Sequence, residues 1–228
     1  MSSGTATRAG MATPLDEVAR YSFPERAVHW INAFAYTYCM VSGLALFTPF
    51  LYWMAAVLGG GGTVRFWHPW IGLVYLASIF WMQSQWKSDM AAIPEDKKWN
   101  ENLKYYVQNQ DDKMPAQGRF NAGQKMFWKG MFWCTLILLI TGVVMWFPEL
   151  MPREAHFLLT LFVFVHSAAA LVTIALFIIH VYMSVWTTPG SLKSMMDGSV
   201  STSYARSHHR LWYEKVTGRK GQKAAISN

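Results

Sequence analysis

Charged residues are scarce in this chain of 228 residues, since only 14% of them are Asp, Glu, Lys or Arg. A soluble domain usually carries about 25%. In contrast, 53% of the residues are hydrophobic and 16% are aromatic, with 12 Trp and 14 Met. This excludes an ordinary soluble domain and predicts a membrane protein with modest polar loops. The length suits one compact domain.

Cysteine is also scarce, because the chain has only Cys39 and Cys134, both within apolar runs. Neither belongs to a CxxC pair, so both are predicted to be buried, inert thiols. The CxxCH motif that attaches a c-type haem is absent. Acidic residues are outnumbered, and the net charge is +7. Since the basic residues flank the apolar runs instead of forming a patch, no nucleic-acid binding is predicted.

Four apolar runs are long enough to cross a bilayer, which takes about 20 residues. They cover residues 27–48, 66–86, 126–147 and 157–186. The second run opens at Trp67-His68-Pro69, where proline suits a first helical turn. The stretch 51–58, which the glycines at 59–62 end, is too short to cross and predicts an interfacial helix. The predicted fold is an all-α integral membrane four-helix bundle with a short interfacial helix and a cytoplasmic loop.

The distribution of basic residues predicts the orientation. Apart from Arg65 and Arg153, every Lys and Arg lies in the N-terminal segment, the C-terminal segment or the region 87–129. Because basic segments stay in the cytoplasm, both termini and the central loop 87–124 are predicted to be cytoplasmic. The predicted division is a polar N-terminal extension at 1–20 without a signal peptide, a membrane domain at 21–215 and a basic tail at 216–228.

Four of the seven histidines lie in or at the ends of the apolar runs: His29, His68, His166 and His180. A polar side chain in hydrocarbon is costly and usually functional, although one alone could make an interhelical hydrogen bond. His166 and His180 are spaced to share one face of a helix. They are separated by about 21 Å along its axis. The fourth run therefore carries a histidine at two levels of the bilayer.

The depths of the other two histidines complete two pairs. His29 near the start of the first run is level with His180, and His68 at the start of the second run is level with His166. Two opposed imidazoles are what a six-coordinate haem b requires. Zinc takes three or four protein ligands, and a di-iron centre takes carboxylates. The sequence therefore predicts two b haems, an inner one on His29 and His180 and an outer one on His68 and His166.

Small residues at the outer level agree with this prediction. Gly43 lies on the same face of the first run as His29, but at the level of His68 and His166. Gly72 and the three alanines at 168–170 could make room for a macrocycle in the same way. Ordinary close packing of helices through small residues remains the alternative.

Six segments, in order and over about 21–215, resemble the cytochrome b (gamma) subunit of respiratory formate dehydrogenases. They are Arg26-Ala27-Val28-His29-Trp30, His68-Pro69-Trp70-Ile71-Gly72, Asn121-Ala122-Gly123-Gln124-Lys125, His166-Ser167-Ala168-Ala169, His180-Val181-Tyr182-Met183-Ser184-Val185-Trp186 and Ser207-His208-His209-Arg210-Leu211-Trp212-Tyr213. The resemblance implies that the four matching histidines are the haem ligands, paired as their depths predict.

The resemblance also implies a place in a larger complex in the bacterial inner membrane. The expected partners are an iron–sulfur beta subunit and a molybdenum- or tungsten-containing alpha subunit, in a multimer of heterotrimers. Electrons are expected to pass from the iron–sulfur chain to the outer haem, then to the inner haem and to menaquinone or ubiquinone at the cytoplasmic side. The chain would then hold a quinone-reduction site but not the formate site.

The segment at 121–125 matches the quinone-site loop of that family, which implies a quinone site at Asn121, Gly123 and Gln124 with His180 nearby. The two amides could hydrogen-bond a quinone carbonyl, and glycine permits close approach. The alternative is that Asn121 only caps the third span. For Arg20 and Arg26, a pairing with haem propionates at the inner surface is an alternative to a simple topology charge.

Two other functions remain open at this point. One is the cytochrome b subunit of a membrane-bound nickel–iron hydrogenase, against which the segments at 121–125 and 207–213 argue. The other is a membrane anchor or transporter without redox function. Four histidines at two matched depths argue against the second.

Overall fold

A computed structural model describes residues 17–108, 110–188 and 190–219. Within these ranges the α-helices, in chain order, are α1 (Phe23–Phe47), α2 (Trp53–Val57), α3 (Gly61–Trp86), α4 (Pro94–Glu101), α5 (Leu103–Val107), α6 (Ala122–Trp146), α7 (Leu158–Tyr182), α8 (Ser191–Asp197), α9 (Thr202–His208) and α10 (Arg210–Thr217). The strands β1 (Glu17–Ala19) and β2 (Ser199–Ser201) pair in antiparallel fashion. Most of the predicted extension at 1–20 and tail at 216–228 lies outside the described residues.

Three helices are long and apolar enough to cross a membrane by length and composition. They are α1, α6, and α7 with its π-helical continuation to Thr187. Their surfaces carry large apolar side chains, such as Phe34 and Phe164, which are 72% and 69% exposed. This confirms the all-α prediction with membrane-crossing helices. The fourth long helix, α3, has 26 residues but contains Arg65 and Pro69, which makes it less apolar.

The four long helices pack around one interior. The helix α1 packs along α3, α6 packs along α7, and contacts of α3 with α6 and of α1 with α7 close the arrangement. Polar side chains between them bond across helices, since hydrocarbon offers no other partner. Tyr36 donates to Thr173 at 3.2 Å, and Thr135 pairs with Tyr75 at 3.0 Å. These bonds fix the relative heights of the helices.

The start of α3 differs from its prediction. The helix begins at Gly61, so the predicted start at residue 66 is wrong, and Pro69 lies in the helix interior, not in its first turn. The reason is that Gly60 precedes the helix with φ 97°, a conformation that glycine adopts without strain. The glycine run therefore opens α3, which places His68 two turns inside it. The predicted interfacial helix at 51–58 becomes a 3-10 turn, Pro49–Leu51, followed by α2.

The chain segments at one end of the bundle fold over each other. We call this the terminal end, because the strand β1, the loop that carries α4 and α5, and the helices α8–α10 meet there. The carbonyl of Gly198 accepts from the backbone N–H groups of Arg20 at 2.8 Å and Tyr21 at 3.0 Å. Gly198 has φ 89°. Parts of the predicted central loop 87–124, and most of the segment 191–217 that follows the fourth span, are thus ordered into helices.

A buried polar network holds the terminal end together. Arg119 donates to Glu25 at 2.7 Å, to Asp89 at 3.0 Å and to the carbonyl of Arg20 at 2.6 Å. Trp86 donates to the same Glu25 carboxylate at 2.7 Å. Since these residues come from the N-terminal segment, α1, α3 and the segment before α6, the network ties the start of α6 to the rest of the molecule.

His209, which lies between α9 and α10, connects these two helices to this network. Its Nδ1 lies 2.8 Å from the carbonyl of Gly118, to which it must donate, and its Nε2 accepts from Arg20 at 3.0 Å. Burial and the neighbouring Arg20 guanidinium hold the pKa of His209 well below its ordinary value. The ring is therefore neutral in the fold. Arg20 donates to His209 and to the carbonyl of Arg119, and not to a histidine of the predicted pairs.

We expect the terminal end to lose stability as pH falls, because His209 must stay neutral while Arg20 and His208 face it. When the segment unfolds locally, His209 binds a proton below about pH 6.5, whereas in the folded state it does not. The free energy of local unfolding therefore falls by up to about 1.4 kcal/mol per pH unit as the pH decreases. The measurement is amide hydrogen exchange of α9 and α10 between pH 8 and 5, corrected for intrinsic rates.

The matched variants are His209→Asn and His156→Asn. The first should lower protection at pH 8 and flatten its pH dependence. The second changes an exposed histidine that only contacts the carbonyl of Met151 at 3.1 Å, and should behave as the wild type. An unchanged pH slope in His209→Asn would contradict this role.

Candidate functional site

The four histidines lie in two facing pairs. The rings of His29 on α1 and His180 on α7 have centroids 6.4 Å apart and planes at 52°. The rings of His68 on α3 and His166 on α7 are also 6.4 Å apart, with planes at 62°. The structure therefore brings together the same two pairs of histidines that were expected from their depths. One pair lies at the terminal end and the other at the opposite end.

The spacing of both pairs fits two imidazoles on one metal. A metal–imidazole nitrogen bond is about 2.0 Å and the ring centre lies about 1 Å further, so two axial imidazoles have centroids about 6 Å apart. At 6.4 Å the rings are too far apart to hydrogen-bond each other. Among the described residues there is no group of three or more His, Cys, Asp or Glu that could hold a metal ion. The donor set fits haem iron and does not fit a zinc site.

A cavity surrounds the pair at the opposite end. It measures about 670 Å³, within the range of small-molecule and cofactor sites, and both His68 and His166 line it. A Cβ on Gly43 would lie 3.4 Å from Cε1 of His68, and a Cβ on Gly142 would lie 3.4 Å from Cε1 of His166. Gly72 also lines the cavity. The small residues thus leave room beside the rings, as a macrocycle requires.

A hydroxyl group lies within hydrogen-bond distance of Nδ1 of each of these two rings. Nδ1 of His68 lies 2.7 Å from Oγ of Ser42, and Nδ1 of His166 lies 2.8 Å from Oγ1 of Thr141. Neither hydroxyl was predicted from the sequence, and nor was Gly142. A Ser or Thr within an apolar helix usually bonds to its own backbone, so no sequence signal separates these two from the others.

Aromatic side chains surround the pair at the terminal end. Phe127 of α6 stacks on His180, with centroids 4.6 Å apart and planes at 10°. Trp30 lies edge-on to His29 at 5.4 Å. Nδ1 of His29 is buried without a hydrogen-bond partner in the protein. Buried polar nitrogens are usually hydrogen-bonded, so this ring differs from its neighbours in having a free Nδ1.

The predicted quinone residues form the N-terminal cap of α6. Oδ1 of Asn121 accepts from the N–H of Gln124 at 2.8 Å, and Oε1 of Gln124 accepts from the N–H of Asn121 at 3.0 Å. This reciprocal pair is a capping box. The alternative role of Asn121 as a cap is therefore present in the fold, and both amide oxygens are engaged while their NH₂ groups stay available as donors.

Gly123 has a structural reason of its own. A Cβ at this position would come within 2.8 Å of the indole of Trp99, which belongs to α4. Lys125, which follows on α6, is paired with Asp96 of α4 at 2.9 Å. The close approach at Gly123 is thus made by Trp99. Phe127, which stacks on His180, lies about one helical turn further along α6.

The comparisons with known proteins agree with this geometry. Residues 20–198 match the family described as Prokaryotic cytochrome b561. The chain is 32% identical over 210 residues to the formate dehydrogenase cytochrome b556(fdo) subunit of Escherichia coli K12, covering 92% of this chain and 98% of the relative. The match is 28% over 206 residues with the nitrate-inducible formate dehydrogenase cytochrome b556(Fdn) subunit of the same organism, covering 90% and 94%.

A relative from another organism matches as well. The formate dehydrogenase cytochrome b556 subunit of Haemophilus influenzae is 27% identical over 206 residues, covering 87% of this chain and 83% of the relative. The matches extend over nearly the full length of each protein, and the family implies haem b in a multi-pass membrane protein. The chain therefore belongs to the prokaryotic cytochrome b561 family and, within it, to the cytochrome b556 subunits of formate dehydrogenases.

Proposed function

We propose that this chain is the di-haem membrane subunit of a formate dehydrogenase complex, with haem sites at two levels of the bilayer. The observation that carries the proposal is the geometry of the histidines. Within each of the two pairs, the ring centroids lie 6.4 Å apart, and α7 supplies one member of each pair. A single metal site, or a protein without a cofactor, would not require this arrangement twice.

The four long helices would all cross the bacterial inner membrane, with both termini in the cytoplasm. Although α3 is less apolar than the others, it is as long as α1 and packs along it, so it must share its environment. The basic residues gather at the terminal end, while Arg65 and Arg153 lie at the other. The positive-inside rule then places the terminal end in the cytoplasm.

His29 and His180 would hold the inner haem, and His68 and His166 the outer haem. A haem b bound at each level would supply one-electron transfer, and the two levels together would span most of the bilayer. The protein contributes the axial nitrogens, the apolar walls that keep water out and the glycines that leave room. Burial and axial ligands are the means by which a protein sets a haem potential.

The partner subunits are inferred from the names of the relatives. Those relatives are subunits of formate dehydrogenases, which favours an iron–sulfur beta subunit and a molybdenum- or tungsten-containing alpha subunit over the hydrogenase alternative. These subunits would meet the chain on the side of the outer haem, in a multimer of heterotrimers. In this arrangement the chain contains no formate site.

The start of α6 would bind the head of menaquinone or ubiquinone. The capping box turns the oxygens of Asn121 and Gln124 towards the backbone, so their NH₂ groups remain as donors for a quinone carbonyl. Phe127 of the same helix stacks on His180, which supports a quinone position near the inner haem. The cleft lined by Asn121 and Trp99 measures only about 10 Å³, so the quinone would approach from the membrane side instead.

The haem ligands are tested by substitution in purified membranes. We expect His68→Ala to lose the outer haem and His180→Ala to lose the inner one, while the wild type binds two b haems per chain. The measurement is a pyridine haemochrome assay combined with a redox titration. His156→Ala, in an exposed loop, is the matched control and should keep both haems. One haem in the wild type would overturn the proposal.

The space beside the outer histidine pair is tested by a substitution that fills it with an aromatic side chain. Gly43→Phe should lose the outer haem and keep the inner one, because its side chain would fill the space next to His68. Gly62→Phe is the control, since a Cβ at Gly62 meets nothing within 4 Å. Spectra of the two b haems report the result. Retention of both haems in Gly43→Phe would show that the glycine only serves helix packing.

The quinone site is tested by substitutions that keep the helix cap. Asp and Glu are good residues for the two cap positions, so Asn121→Asp and Gln124→Glu preserve the capping box but lose the NH₂ donors. We expect each to raise the KM for quinone about tenfold, the equivalent of one lost hydrogen bond. The measurement is stopped-flow reoxidation of the reduced haems by quinone, with haem content unchanged.

The control for the quinone test is Asn100→Asp, which makes the same amide-to-carboxylate change at an exposed site on α4. It should leave the quinone kinetics as they are. If Asn121→Asp and Gln124→Glu also leave them unchanged, the two residues serve only as the cap of α6.

A further inference from the structure

The same two-residue device occurs on two helices at the outer level. A hydroxyl residue is followed by a glycine, as Ser42-Gly43 on α1 and as Thr141-Gly142 on α6. In each case the hydroxyl contacts Nδ1 of a histidine and the glycine leaves room beside Cε1 of the same ring. The first device serves His68 and the second serves His166. Neither histidine lies on the helix that carries its device.

The hydroxyl of Ser42 determines which nitrogen of His68 carries the hydrogen. Its single O–H donates to the carbonyl of Tyr38, four residues earlier, at 2.7 Å. When that bond is made, the oxygen accepts from the ring at 2.7 Å, and Nδ1 of His68 carries the hydrogen. This leaves the lone pair on Nε2, the nitrogen that is free to bind iron.

Thr141 imposes the same choice on His166. Its hydroxyl donates to the carbonyl of Ile137 at 2.7 Å, so its oxygen accepts from Nδ1–H of His166 at 2.8 Å. Both hydroxyls are buried in the apolar interior, where water does not compete for the bond. Both outer rings are thus fixed in one tautomer and in one orientation.

The inner level is built differently. Nδ1 of His29 has no hydrogen-bond partner in the protein, and His180 is held by stacking on Phe127. Within the described part of the chain, no hydroxyl contacts either inner ring. The two levels therefore present the same ligand type in different hydrogen-bond environments.

We propose that Ser42 and Thr141 are positioning residues that lower the reduction potential of the outer haem. An acceptor behind the N–H of a ligating imidazole makes the ring a stronger electron donor to the metal. A more basic ligand favours the ferric state, so the outer haem becomes the more ready of the two to give up its electron. The proposal rests on the proposed function, because it needs an outer haem bound by His68 and His166.

A purely structural role for the hydroxyls makes a different prediction. Buried Ser and Thr commonly satisfy themselves by bonding to their own helix, and such a bond needs no histidine. In that case, loss of the hydroxyl would change stability but would not move the potential of one haem alone. The reduction potential therefore separates the two roles.

The experiment uses the intact complex in membranes with Ser42→Ala, Thr141→Val and the double variant. We expect the potential of the outer haem to rise in each single variant and further in the double variant, while that of the inner haem stays unchanged. The low-temperature EPR signal of the outer ferric haem should shift with it, since the ring orientation is no longer fixed. Ser42→Thr and Thr141→Ser, which keep a hydroxyl, should restore the wild-type potential.

Ser78→Ala is the matched control, because Ser78 lies on α3 and does not line this cavity. The hydroxyl of Ser78 is also buried and also donates to a carbonyl of its own helix, that of Tyr75 at 2.7 Å, but it accepts from Asn32 at 2.8 Å and not from a histidine. This variant should leave the potential of the outer haem where it is. If Ser42→Ala fails to assemble, Ser42→Cys keeps the space with a weaker acceptor and should shift the potential in the same direction.

The possible failures are distinguishable. A wild-type chain without a haem on His68 and His166 would overturn the proposed function itself. Two bound haems with an outer potential that does not respond to Ser42→Ala or Thr141→Val would overturn only the present inference. An equal shift of the outer potential in Ser78→Ala would do the same, because any buried hydroxyl would then have the effect.

Discussion

In the apolar interior of these helices, a polar side chain has to find its partner within the protein, and the rest of the structure depends on this constraint. An unpaired polar group in hydrocarbon costs several kcal/mol. Tyr36 bonds to Thr173, and Thr135 bonds to Tyr75, each across a helix boundary. His68 and His166 obey the same constraint, whereas Nδ1 of His29 is buried without a hydrogen-bond partner.

The two histidine levels satisfy the constraint by different means, and this difference connects packing with function. At the outer level, hydroxyls on neighbouring helices accept from His68 and His166, so the orientation of each ring is determined by helix packing. At the inner level, Phe127 holds His180 by stacking. A single scaffold can therefore place one cofactor type in two environments, which is how a protein separates two potentials.

The terminal end fixes the position at which α6 begins, which the long helices do not fix by themselves. The network of Arg119 and Glu25, and the contact of His209 with Arg20, fix the segment that precedes α6. The cap made by Asn121 and Gln124 then begins α6 at a defined height. Because α6 carries Phe127, the polar segments and the inner histidine pair are parts of one arrangement.

The sequence by itself determined the apolar helices and the levels of the histidines, because these depend on composition and on the period of the α-helix, which are local properties. It could not determine that α3 begins at Gly61, since the glycine run suits a loop and a helix start equally well. It also missed Ser42, Thr141 and Gly142. Their roles come from contacts between residues far apart in the chain, and only the tertiary structure decides those.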